Sequence, residues 1–305
     1  MNIASIDIGT NTILLLIANI NTMDGKIKPL VNEYRMPRIG KGLKPGGPIS
    51  DDRINAMLEV MDEYSSIIKA LNCSHVAAKA TSAMRLASNS SHIISLVKDK
   101  YGIDISVISG QEEARLSFLG ATSGVEAEKY VVIDVGGGST EIIYGERGNI
   151  LFSKSFLGGV VSFTENHVLH DPPLKQEIEE LDKAIEDKFS ELKDKFPPGF
   201  SVVAVAGTPT SLSCVKQHLQ HYDEDKVENS VLTTGDLKDL SEDFSKISSS
   251  EILRLYPEIM KGREDVIFAG TLILKNILKL LPAGSLIVSG RGIRYGAVID
   301  FIKKL

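Results

Sequence analysis

The chain carries the same device twice, and this repeat constrains the fold more than any other feature. Residues 3–20, IASIDIGTNTILLLIANI, lead into a polar turn at Met23-Asp24-Gly25 and an extended stretch from Lys26 to Tyr34. Residues 130–146, YVVIDVGGGSTEIIYGE, lead into a turn at Arg147-Gly148-Asn149 and the stretch ILFSKSFLGG. Each copy has an apolar run ending in Asp-x-Gly, a tight polar turn, a second β-rich run and a third. Links this short join antiparallel strands, because parallel strands need a crossover of about a dozen residues or more. Two duplicated domains follow, and 305 residues also exceed what one compact core usually holds.

After each meander the pattern changes to alternating helices and strands. In the first half, Ser50 as an N-cap opens an amphipathic helix to about Leu71. A strand His75–Ala80, a helical region near Ser91–Lys100, a strand Ile103–Ile108 and a helix from Gln111 follow. In the second half, helices near Leu174–Leu192 precede a strand Ser201–Ala206. Further helices lead to a strand Ser285–Ser289 and a closing helix from Ile293. Strands separated by helices imply crossovers, and so mixed sheets with helices on both faces. The expected architecture is α/β with two domains, 1–121 and 122–305, and a hinge near Gly120–Glu128. The closing helix, about 293–305, is expected to pack back on the first domain.

Charge and composition exclude several classes. The net charge of −6 argues against a general nucleic-acid binder. Residues 1–121 hold 13 basic against 12 acidic side chains, and the remainder 21 against 28, so a polyanion would be gripped by local basic clusters on the first half. No apolar run reaches the roughly 20 residues needed to span a bilayer. The N-terminus has no basic segment, apolar core and cleavage site of an export signal. Cys73 and Cys214, far apart, suit a reducing cytosol.

Four loops could hold phosphate. In Asp7-Ile8-Gly9-Thr10-Asn11-Thr12 a buried strand delivers a carboxylate into a glycine turn, where successive amides can form an anion cradle. Asp134-Val135-Gly136-Gly137-Gly138-Ser139-Thr140-Glu141 repeats it. A flexible hairpin with Asp as turn former is the bland alternative for either loop. Ala206-Gly207-Thr208-Pro209-Thr210 ends a strand and opens a helix whose first amides suit phosphate, although Thr208 as a simple N-cap before Pro209 explains it equally. Ser289-Gly290-Arg291-Gly292 again joins strand to helix. No glycine-lysine-serine/threonine follows any of these loops, and the two hairpin loops lead into strands, so neither the Walker nor the dinucleotide pattern applies.

These motifs resemble the actin-like phosphotransferase superfamily. DIGTNT, ATSAMR (80–85), SGQEEA (109–114), DVGGGSTE, AGTPT, GREDVIFAG (262–270) and VSGRGIRYG from Val288 narrow the resemblance to the exopolyphosphatase and guanosine pentaphosphate phosphohydrolase (Ppx/GppA) family, over nearly the whole chain. It implies two actin-like (ribonuclease H-like) domains with mixed five-stranded sheets and an active site in the interdomain cleft. Two departures stand out. Thr12 replaces the usual serine but keeps a hydroxyl. A large C-terminal helical extension of some members is absent, which leaves chain-length preference and processivity open.

From the residues alone, Glu112-Glu113 reads as well as acids at a helix start. The resemblance makes Glu113 the general base that activates water, with Glu112 as a supporting neighbour, and Arg85 the phosphate-binding fork. It implies phosphate binding at Gly9, Thr10, Asn11, Thr12, Gly136, Gly137, Gly138, Ser139, Thr140, Gly207 and Thr208. Asp134 becomes the anchor for Mg²⁺ or another divalent cation, with Glu141 and Asp7 as further donors. Any of the three acids could instead brace its loop. Arg35, Arg38, Lys41 and Lys44 flank GKGLKPGG and read either as an entry path for a polyanion or as a solvated loop. The pairs His167/His170 and His218/His221 lack a third metal ligand, and Asp223–Glu228 reads as a solvated acidic turn. The expected function is a cytoplasmic, Mg²⁺-dependent exopolyphosphatase. The rivals are guanosine pentaphosphate 5′-phosphohydrolase, an actin-like kinase and a non-catalytic phosphate or nucleotide sensor. The expected partner is inorganic polyphosphate or guanosine pentaphosphate, with no membrane and no specific nucleic acid; a homodimer is allowed, not specified.

Overall fold

The computed structural model describes residues 1–21 and 26–304, so the turn expected at Met23-Asp24-Gly25 lies outside the described residues. The chain divides into two compact units, Met1–Gly120 with Ile293–Leu305, and Ala121–Gly292.

The first unit is built on a five-stranded sheet. Its strands are β1 (Asn2–Ile8), β2 (Ile13–Ile20), β3 (Ile27–Arg35), β4 (His75–Ala80) and β5 (Ile105–Val107), in the spatial order β3-β2-β1-β4-β5. β1–β2–β3 form the antiparallel meander, while β4 and β5 run parallel to β1. Strand alternation decides which face each side chain covers. Ala4, Ile6 and Ile8 bury against Met57, Met61 and Tyr64 of the helix Asp51–Ala70. Ile3, Leu16 and Ala18 point the other way, onto Tyr295 and Val298 of the C-terminal helix Ile293–Ile302. With both faces covered, β1 and β2 read as nearly continuous apolar runs. Ser50 does hold the N-cap position, but its hydroxyl donates to Asp52 at 2.5 Å instead of accepting from an amide.

The second unit repeats the plan with β6 (Lys129–Val135), β7 (Ser139–Glu146), β8 (Asn149–Leu157), β9 (Ser201–Val205), β10 (Val231–Thr233) and β11 (Ser285–Val288). The order is β10-β11-β9-β6-β7-β8, with β9 and β11 parallel to β6. Among the described residues this sheet has six strands where five were expected. The additional β10 is three residues long, too short for any periodicity to show, and it pairs antiparallel on β11. In both meanders the second and third strands slip register once, at Ile17/Ala18 and at Tyr144/Gly145, as a β-bulge does. The core gathers Val131, Ile133 and Val135 with the helix Ile267–Leu280, which is apolar nearly all round and buried accordingly. Each of its fully buried leucines and isoleucines is worth roughly 1.5–3 kcal/mol. Among the described residues no helix is long and apolar enough to cross a membrane.

Candidate active site

In an open sheet of parallel strands, ligands bind outside the carboxyl ends of the strands. The first unit gathers three of the expected segments at that edge. β1 ends at Ile8 beside Ala80 of β4, and the amides of Thr81 and Ile108 bond to Ile8 O and Ala80 O at 3.1 and 2.9 Å. The turn Gly9–Thr12, the short helix Ser82–Leu86 and the start of the helix Gly110–Thr122 therefore leave the sheet side by side. Arg85 Nη1 donates to Glu113 Oε2 at 2.5 Å and to Ile108 O at 3.0 Å. Glu113 is 5% exposed. Successive helical residues face different ways. Thus Glu112 is turned outward and accepts Nε and Nη2 of Arg115, both at 2.8 Å, which holds its carboxyl below the ordinary range. The residues alone could not tell the two glutamates apart; the helix phase gives them different surroundings.

The two glycine turns share one geometry. Gly9 N bonds Thr12 O at 3.0 Å, and Gly136 N bonds Ser139 O at 2.9 Å. Both turns are also held from behind by their carbonyls. Thr10 O and Asn11 O accept from Gly40 N and Arg38 N at 2.9 and 3.1 Å. Gly136 O, Gly137 O and Gly138 O accept from Val160, Val161 and Gly158 at 3.0, 2.8 and 3.2 Å. A trans peptide points its N–H opposite its C=O. The amides of Asn11 and Thr12, and of Gly137, Gly138 and Ser139, consequently face away from these braces, as an anion cradle requires. Thr140 Oγ1 donates to Gly158 O at 2.8 Å, so this hydroxyl serves the brace. Gly159 must lack a side chain, because a Cβ there would lie 2.3 Å from Gly136 O.

Asp134 and Glu141 stand directly opposite each other on β6 and β7, 7% and 1% exposed. Two carboxylates facing across a strand pair destabilise it unless positive charge or donors intervene. Ser155 Oγ supplies one donor to Glu141 at 2.6 Å. The pair fits a hard cation with oxygen preference. Among the described residues no group of three or more His, Cys, Asp or Glu is arranged to hold a metal, so substrate oxygens and water would complete the shell, as Mg²⁺ prefers. Asp7 lies in the first unit, register-paired with Lys79 of β4.

The other two loops meet at the carboxyl edge of the second sheet. Ala206 adopts φ 83°, ψ −170°, a region nearly reserved for glycine, before the helix Gly207–Lys216. Thr208 is 6% exposed, and the Arg263 guanidinium lies against Gly207. Ser289 Oγ and Gly290 N donate to Glu228 at 2.8 and 2.7 Å, and Arg291 Nε lies 3.6 Å from the same carboxylate. Sequence reasoning missed Arg263 and Glu228. The expected solvated turn at Asp223–Glu228 is instead a capped helical turn, Glu224–Val227, that ends in a brace for the Ser289–Arg291 loop. His170 Nδ1 pairs with Glu177 at 2.8 Å rather than with a second histidine. Arg35 is drawn into ion pairs with Glu33 and Glu63, away from the GKGLKPGG loop.

Comparison with known proteins shows the family. The family model of the Ppx/GppA phosphatase family matches residues 16–305. Exopolyphosphatase 2 of Mycobacterium tuberculosis is 30% identical over 92% of this chain and 90% of its own length. The bifunctional 3-dehydroquinate synthase/phosphatase of Fusobacterium nucleatum is 32% identical over 98% of this chain and 46% of its own, so the chain spans about half of that protein. Among solved structures, the Aquifex aeolicus Ppx/GppA family member superposes with a TM-score of 0.85 at 32% identity, covering 100% of this chain and 98% of that one. An exopolyphosphatase from Cytophaga hutchinsonii gives 0.91 at 26% identity, covering 100% and 99%. With its duplicated α/β fold, its paired glycine turns and matches of this extent, the chain belongs to the Ppx/GppA phosphatase family.

Proposed function

We propose that the chain is an exopolyphosphatase that hydrolyses terminal phosphoanhydride bonds of inorganic polyphosphate and releases orthophosphate. The Arg85–Glu113 pair beside the first glycine turn carries this reading. A buried carboxylate held by an arginine at the carboxyl edge of a sheet suits a base that takes a proton from water attacking phosphorus. The Arg85 guanidinium can offer its remaining donors to phosphate oxygens and offset charge that develops there. In the first unit Thr10 to Thr12, and in the second Gly137 to Ser139 and Gly207 with Thr208, would offer donors to phosphate. Asp134 and Glu141 would hold Mg²⁺, which when bound neutralises phosphate charge; Asp7 is the corresponding oxygen donor of the first unit. Two free cysteines suit work in the cytoplasm.

Similarity to exopolyphosphatase 2 over most of both chains favours polyphosphate above guanosine pentaphosphate. The test is orthophosphate release from polyphosphate, guanosine pentaphosphate and ATP in parallel, with and without a chelator. The reading requires polyphosphate to give the highest kcat/KM, with activity lost on chelation. Preference for guanosine pentaphosphate establishes the rival phosphohydrolase. Phosphate transfer from ATP only to an added acceptor indicates a kinase, and binding without turnover a sensor.

A further inference from the structure

We propose that the loop carrying Lys41 and Lys44 is a subsite for the inner phosphates of a linear polyanion, and so confers preference for long chains; the assignment rests on the polyphosphate reading above. Between Glu33 and Asp51 the chain has four basic residues and no acidic one, in a protein of net charge −6. Arg35 is consumed by Glu33 and Glu63. Lys41 and Lys44 are exposed, and neither forms an ion pair among the described residues. An exposed lysine with an acid nearby often finds it; Lys98 does so with Asp104 and Lys304 with Asp300. Here the acids have been left out.

The position of the loop matters as much as its charge. At one end it is stitched to the first glycine turn, through Arg38 N to Asn11 O and Gly40 N to Thr10 O. A Cβ on Gly40 would lie 2.2 Å from Thr10 Cγ2, so a side chain there would push Thr10 aside. At the other end it is stitched to the exit of the helix that carries Arg85. Gly46 N bonds Leu86 O and Ser88 N bonds Gly47 O, both at 3.0 Å, and the Asn89 side chain holds both backbone groups of Ile49. Tight turns between Arg38 and Lys41, Gly40 and Leu43, and Lys44 and Gly47 keep the intervening backbone compact. The two lysines are thus mounted on a braced rim between the elements expected to hold the terminal phosphate. A substrate with only a few phosphates fills the turn. A longer one has further charges to place, and this rim offers positive partners from a segment that carries no acid of its own.

The experiment compares wild type with the double variant Lys41→Gln/Lys44→Gln. Equilibrium binding of long-chain polyphosphate and kcat/KM for long-chain polyphosphate and tripolyphosphate are measured at 50 and 200 mM salt. Each phosphate contact of a single-stranded polyanion adds about 0.7 to the slope of log affinity against log salt. Two lost contacts should flatten that slope by about 1.4 and weaken long-chain binding roughly sevenfold more at 50 than at 200 mM. The loss of kcat/KM should be larger for the long chain than for tripolyphosphate. Unchanged binding and slope, or equal losses on both substrates, would overturn the proposal. If wild type binds long polyphosphate through these lysines but does not cleave it, the subsite stands and the exopolyphosphatase reading falls.

Discussion

Replacing Glu113 by glutamine tests the chemistry with the least disturbance to the fold. The amide keeps the volume of a side chain that is 5% exposed, and its oxygen can still accept Arg85 Nη1. What it loses is the charge and the capacity to take a proton. A hydrogen bond to a charged group is worth about 1.5–3 kcal/mol, and a neutral one about 1. Arg85 stays cationic, so the contact should weaken by at most the difference, roughly 0.5–2 kcal/mol, too little to unfold a domain of ordinary stability. Arg85 also retains Ile108 O. Loss of a general base costs about 10²–10⁴ in rate. That corresponds to roughly 3–5 kcal/mol on the barrier, more than the expected change in stability. The assay is orthophosphate release at saturating polyphosphate, with polymer binding and thermal unfolding followed on the same sample. The expected result is collapsed kcat with binding retained and a small fall in Tm. A folded Glu113→Gln protein that turns over near the normal rate removes Glu113 from the mechanism, whatever its position.

Three further outcomes are expected. Asp134→Asn should raise the Mg²⁺ concentration for half-maximal activity, since an amide opposite Glu141 offers no negative oxygen to a hard cation; intact activity at unchanged metal dependence would make Asp134 a loop brace. Glu228→Ala should cost about 2–4 kcal/mol in urea unfolding, because it strands the Ser289 hydroxyl and the Gly290 amide near a half-buried arginine, whereas an unchanged midpoint would show that water replaces the carboxylate at no cost. Arg115→Ala should flatten the acid limb of the stability profile. Arg115 holds the Glu112 carboxyl below its usual range; burial raises Asp300, but Arg115 and Lys304 overcome that and hold it low. Groups whose folded pKa is depressed add stability above their unfolded value and lose it as pH falls through the folded one. The difference between wild type and variant should therefore be present at pH 7, about 1 kcal/mol, and vanish in acid below the ordinary carboxylate range; a difference that persists there would mean that Arg115 acts through packing.

The repeat was legible without coordinates because it is a local pattern. Short polar turns force antiparallel pairing, alternation assigns faces, and the Asp-x-Gly endings sit where the strands stop. Those rules recover the β1–β2–β3 and β6–β7–β8 meanders, the strand His75–Ala80 residue for residue and the closing helix from Ile293. β10 escaped them because three residues cannot display a period. Tertiary structure alone decided which groups meet. Arg85 and Glu113 lie 28 residues apart, and they pair because β4 and β5 run parallel and release their helices on one edge. Glu228 looked like one acid among several, and its partners lie 61 and 62 residues away. Charge could be counted from the sequence, but not which charges remain unneutralised. That depends on reach: Arg35 finds Glu63 across 28 residues, while Lys41 and Lys44 find no acid among the described residues.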